Sequence, residues 1–149
     1  MDEEQLRYVL SDNKWTLSSY RGVFARDELP LTVTVPSFYI CNTDPSNKPG
    51  QHWVVIYFDQ DGRAEYFNSF GLPPIYEEFM NFINRNCVQW LYNDKTLQDD
   101  NSTACGHYCI FYAVHRCVGF DMRAIKNMLT DDTIINDVIV RQFVCRNIQ

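Results

Sequence analysis

The chain has 149 residues, 46% of them hydrophobic and 21% charged, with a net charge of −6. That is enough for one domain (1–149) with a real core, and too acidic for a polyanion to be the primary ligand. Lys and Arg are scattered singly, so no basic stripe could track nucleic acid, and no apolar run approaches the roughly 18 residues of a membrane span.

The acidic start, Met1-Asp2-Glu3-Glu4, lacks the basic and apolar regions of a secretory signal, so the protein is expected not to be secreted. Residues 3–12 read as a short helix with Leu6, Val9 and Leu10 on one face. An irregular stretch rich in turn residues follows, through Gly22 and Pro30. Phe38 to Cys41 reads as a buried strand, and Asn42 to Gly50 as a loop. His52–Phe58 (HWVVIYF) and Ala64–Ser69 (AEYFNS) are two β-rich runs separated by Asp59-Gln60-Asp61-Gly62, a strong hairpin signal. The spacing predicts a helix over 75–86 with Phe79, Phe82 and Ile83 on one face, then a strand at 88–92. The last third reads as three helices, at 105–118, 121–129 and 134–147, with Asp131 and Asp132 suited to the start of the third. The expected class is α+β, a small mixed or antiparallel sheet packed against helices.

Six cysteines are present, Cys41, Cys87, Cys105, Cys109, Cys117 and Cys145. A chain of this size does not need disulfide staples, so they are read as mostly reduced. Cys105 stands apart. Polar, turn-forming Asn101 to Thr103 run directly into an apolar helix, which places Cys105 in its first turn. Unpaired backbone N–H groups there stabilise a thiolate and can donate to an oxyanion. Gly106, with no side chain, would let a substrate carbonyl approach. Location alone does not set this thiol apart from a structural helix cysteine.

A nucleophilic cysteine needs a base, and the chain offers His52, His107 and His115. His107, two residues from Cys105 on a helix, points to another side. His115 lies mid-helix, where a packed or solvated role is expected. By elimination His52, opening a strand after a Pro-Gly loop, is the candidate base. Pairing across the hairpin places residue 52 opposite 69–71, so Asn68 and Ser69 become its neighbours. The Asn68 amide oxygen could accept from the imidazole and fix its tautomer, as in the Cys-His-Asn set of papain-like enzymes.

His52-Trp53, Tyr66-Phe67-Asn68-Ser69-Phe70-Gly71 and Gln98-x2-Asn101-Ser102-x-Ala104-Cys105-Gly106 together resemble the adenain family of maturation proteases. That family shares a clan with the ubiquitin-like-specific (SUMO) proteases. The seven-residue step from Gln98 to Cys105 matches adenain spacing, and the resemblance covers about residues 5–130. It implies Cys105 as nucleophile, His52 as general base, Gln98 and the Cys105 backbone N–H as oxyanion donors, and Trp53 as a substrate-cleft residue that either stacks beside the histidine or packs in the core. Asn68 falls where the family carries Glu or Asp; an amide orients His52 but does not stabilise its imidazolium as a carboxylate would. Adenovirus enzymes are basic and use DNA and a short peptide as cofactors. This acidic, shorter chain looks more like the compact adenain-like proteases of Maverick/Polinton elements, which argues against DNA activation and leaves an activating peptide open. The implied activity is cleavage of viral structural precursors after small residues such as Gly, by a monomer in the virion or the infected cell's nucleus or cytoplasm.

Cys105, His107, Cys109, His115 and Cys117 lack the paired spacing of a metal site, so no metal is expected. Asp99-Asp100 and Asp131-Asp132 read as a solvated loop and a helix start rather than acid–base pairs. An isopeptidase acting on ubiquitin-like modifiers would share every catalytic residue. A degenerate protease kept as a binding module would fit Asn68 and nothing else.

Overall fold

The computed structural model describes residues 1–48 and 52–147. Its elements are α1 (Glu3–Asp12), β1 (Tyr20–Phe24), a 3-10 turn (Arg26–Glu28), β2 (Ser37–Asn42), β3 (Trp53–Phe58), β4 (Arg63–Phe67), α2 (Glu77–Asn86), β5 (Gln89–Tyr92), α3 (Cys105–Val118), α4 (Met122–Asn127) and α5 (Thr133–Asn147). Helix α1 starts at a capping box: Asp2 accepts from the Gln5 N–H and the Gln5 side chain accepts from the Asp2 N–H, each at 2.9 Å. Asp132 caps α5 in the expected way, accepting from the Ile134 and Ile135 N–H groups.

The five strands form one mixed sheet in chain order. Its centre, β2–β3–β4, is antiparallel as the hairpin signal requires, while β1 lies parallel to β2 and β5 parallel to β4. Strand β1 was expected to be irregular and is a strand. Gly22, at φ 130°, breaks the side-chain alternation that marks a strand, and the register slips between Tyr20 and Val23. Its pairing comes from β2, remote in sequence. Tyr20 also packs its ring on Phe38 across that pair.

Both faces of the sheet are covered. Val54, Ile56 and Phe58 of β3 join Phe79, Phe82 and Ile83 of α2 on one side. Val55 and Tyr57 join α1, α3 and α5 on the other. Burial on both faces explains why β2 and β3 read as unbroken apolar runs. One charged pair sits inside: Glu65 of β4 accepts from Arg116 of α3 at 3.1 Å and from the Tyr112 hydroxyl. Among the described residues no helix is long and apolar enough to cross a membrane.

Candidate active site

His52 lies one residue before β3 and Asn68 one residue after β4, so the hairpin carries both to the same sheet end. The register pairs Val55 with Phe67, and continuing it sets 52 opposite 70. His52 Nε2 lies 2.8 Å from Asn68 Oδ1. The same Oδ1 accepts the Phe70 N–H at 2.9 Å. A backbone N–H can only donate, so the amide presents its oxygen, and the histidine proton must be on Nε2. Nδ1 then carries the lone pair, and it has no hydrogen-bond partner among the described residues. Burial lowers the His52 pKa below the ordinary 6.5, partly opposed by the bond from Asn68. The imidazole is therefore a neutral base near pH 7.

Cys105 opens α3, and it shares with His52 a cavity of about 320 Å³ that Trp53, Phe70, Gln98 and Ser102 also line. Two larger hollows, of about 590 and 720 Å³, have no cysteine in their walls. All six cysteines are free thiols. Burial pushes Cys41 and Cys109 strongly up and Cys117 up to about 11, which keeps these thiols protonated and poorly nucleophilic. Cys105 alone combines a cavity position with a histidine in the same wall.

Gln98 is buried, and its orientation is fixed from both ends. Its Oε1 accepts the Ser69 hydroxyl at 2.5 Å, and its Nε2 donates to the Ser102 carbonyl at 3.0 Å. The Ser102 hydroxyl lies 3.1 Å from the same nitrogen. Because a carbonyl only accepts, the nitrogen is the end that faces Ser102. The Leu97 and Gln98 N–H groups both donate to the Ser69 carbonyl, at 2.8 and 3.0 Å. The four residues Asn68 to Gly71 thus touch both the histidine and the glutamine.

The structure adds detail around these residues. The ring stacked on His52 is Phe70, with centroids 4.9 Å apart and planes at 27°; Trp53 instead lines the cavity and packs against the core. Ser69, expected only as a neighbour of His52, donates its hydroxyl to Gln98. Gly106 is buried, and a Cβ added there would lie 3.1 Å from the Met1 Cβ, so the Met1 side chain covers the face expected to receive a carbonyl. Met1 also forms part of the cavity wall. Phe70 stood inside the quoted motif without a role, and its stacking depends on the loop after β4. Nothing in the sequence marked Met1.

His107 is half-buried on another side of α3, near Arg141 and Asp137, and burial lowers its pKa. His115 bonds the Phe111 carbonyl through Nδ1 at 2.7 Å and packs on Phe111 and Phe143. Among the described residues no group of three or more His, Cys, Asp or Glu is placed to hold a metal ion.

Gly71 is required by its position. It has φ +74°, and a Cβ would come within 2.5 Å of the Lys95 carbonyl carbon. Gly71→Ala is expected to cost about 2–4 kcal/mol from left-handed strain plus backbone collision. Denaturant melts measure that loss, and an unchanged midpoint would mean the loop relaxes freely.

No family model matches the chain. A cysteine protease of African swine fever virus is 36% identical over 84 residues, which is 49% of this chain and 31% of that protein. The same protein from other isolates, 34% identical, is named a SUMO-1 cysteine protease. The protease of bovine adenovirus B serotype 3 is 26% identical over 154 aligned positions, covering 89% of this chain and 72% of that one. The chain spans about a third of the African swine fever virus relatives, as the 31% coverage shows. A crystal structure of the African swine fever virus protease superposes with a TM-score of 0.70 at 20% identity, over 99% of this chain and 67% of that one. That likeness gives the fold: the chain has the α+β architecture of a viral cysteine protease.

Proposed function

We propose that the protein is a viral cysteine endopeptidase that cleaves structural precursor polypeptides during virion maturation, after small residues such as Gly. One observation carries the reading most directly: His52, held as the Nε2–H tautomer by Asn68, shares a cavity wall with a cysteine at a helix N-terminus. In the proposed reaction His52 Nδ1 takes the Cys105 thiol proton as Sγ attacks the scissile carbonyl carbon. The resulting oxyanion is met by the Cys105 backbone N–H and by Gln98 Nε2, which gives up one of its two bonds to Ser102 to reach it. His52 returns the proton to the leaving amine, giving an acyl-enzyme and a free amino terminus. Water then attacks the thioester, with His52 again as base, and restores the thiol. Trp53 and Phe70 line the cavity beside the bond to be cut.

Polypeptides from the same virus are the proposed substrates, and the virion or infected cell the proposed place of action. The net charge of −6 opposes DNA as an activator. An activating peptide is tested by adding candidate viral peptides to the assay. A second reading, hydrolysis of a ubiquitin-like modifier's C-terminus, is favoured by the 34% identical relatives, which are named SUMO-1 cysteine proteases. A thiol-reactive ubiquitin-like probe separates the two, since labelling of Cys105 supports the second.

The test is cleavage of a fluorogenic peptide ending in Gly-Gly or Gly-Ala as a function of pH. The base must be unprotonated to accept the thiol proton, and His52 is depressed by burial. The acid limb of kcat/KM is therefore expected below 6.5, the ordinary histidine value. The same depression acts on stability. The unfolded histidine binds its proton first as pH falls, so stability contributed by neutral His52 is full above about 6.5 and is lost as pH falls through the folded value. An acid limb above 6.5 would remove His52 as a neutral base.

A further inference from the structure

Asn93 is fully buried, although asparagine is mostly a surface residue. Both ends of its amide go to the backbone of one other residue. Asn93 Oδ1 accepts the Asn68 N–H at 2.9 Å, and Asn93 Nδ2 donates to the Asn68 carbonyl at 2.7 Å. The β4–β5 ladder runs from Arg63 and Gln89 to Tyr66 and Tyr92 and ends there. Just beyond it, the Asn93 side chain stands in for the peptide group of a strand and grips Asn68 by both of its backbone polar atoms.

That grip matters because of what Asn68 does next. With its N–H and carbonyl fixed, the direction of its Cα–Cβ bond is fixed. The remaining side-chain freedom is taken by the Phe70 N–H on Oδ1. The oxygen that meets His52 is thus aimed by a residue that touches neither the imidazole nor the cavity. Because Asn68 carries no charge, it supports the histidine through a single directional hydrogen bond. An attraction between a carboxylate and an imidazolium would survive a small displacement, whereas an amide hydrogen bond weakens steeply with misalignment.

We infer that Asn93 is a positioning residue for the base: by clamping the backbone of Asn68 it sets the tautomer and orientation of His52. This rests on the reading of His52 as base given above. Asn93 also extends the reach of the 93–98 segment. That stretch holds Asn68 through Asn93 and Ser69 through the Leu97 and Gln98 N–H groups, so one segment, anchored by buried Asn93, Leu97 and Gln98, sets the histidine and the oxyanion side chain together.

The experiment compares wild type, Asn93→Ala and Asn93→Asp by two readouts. The first is the imidazole Nε2–H resonance of His52 in nitrogen-edited NMR, assigned among three histidines by its loss in His52→Gln. The second is the split between kcat and KM on the reporter peptide. Wild type should show a protected resonance. In Asn93→Ala it should broaden or vanish from the folded protein, with kcat down about 10²-fold and KM little changed. Asn93→Asp keeps the acceptor for the Asn68 N–H and loses the donor to its carbonyl, so it should fall between the two. If Asn93→Ala does not fold, the equal-sized Asp variant decides by the same readouts. A folded variant with the wild-type resonance and kcat overturns the assignment, as does a loss confined to KM. The resonance reads the His52–Asn68 bond without turnover. A wild type that cleaves no peptide would therefore sink the protease reading while leaving Asn93 to be judged on the resonance.

Discussion

Replacing Cys105 by alanine is expected to remove peptide cleavage altogether, a fall of at least ~10⁴-fold, with no loss of fold. Alanine has the better helix propensity, and Cys105 is only partly buried in the first turn of α3, so stability should hold or rise slightly. The contrast with Gln98→Ala is the informative one. Removing one oxyanion donor of two costs about 10²–10³-fold, because the backbone N–H remains. A graded series, with Cys105→Ala silent and Gln98→Ala weak, separates a nucleophile from a stabiliser. Equal losses in both variants would point instead to collapse of the 97–105 loop, which circular dichroism and melting would reveal. Retained turnover in Cys105→Ala would end the assignment.

Arg116→Met is expected to destabilise the fold by about 3–5 kcal/mol, because it strands the Glu65 carboxylate inside the protein. The Arg116 and Glu65 side chains are 15% and 7% exposed, and the guanidinium also lies 4.5 Å above the Tyr57 ring. Taking such a pair out of water is costly, and its mutual attraction repays the cost only while both members are present. Stabilities of single domains are about 5–15 kcal/mol, so the loss is a large share of the total. At this chain length it should appear as a drop of about 10–15 °C in Tm. Replacing Arg116 and Glu65 together by apolar residues should recover most of it. If the double variant melts as low as the single one, packing around Tyr57 rather than the stranded charge carries the effect.

Most elements were legible because they are set by neighbours in sequence. The 3.6-residue spacing of Leu6, Val9 and Leu10 fixes α1, and the polar run before Cys105 starts α3 where it was expected. The Asp-Gly turn fixes the β3–β4 register, from which the proximity of residue 52 to the 68–71 segment follows. Strand β1 was not legible, since Gly22 erases its alternation and its partner β2 lies beyond a loop.

The sequence by itself determined the secondary structure of nearly every element, the position of a cysteine at a helix start, and the nearness of a histidine and an asparagine across one hairpin. All of these depend on dihedral preferences, caps and turns within a few residues. Only the tertiary structure decided which ring covers His52, which end of the Gln98 amide faces Ser69, and what holds Asn68 in place. The first rests on a ring stack between residues 18 positions apart in the chain, and the other two on hydrogen bonds between residues 29 and 25 apart. Such bonds form only because burying both faces of the sheet brings their partners together and leaves their polar atoms no water to turn to.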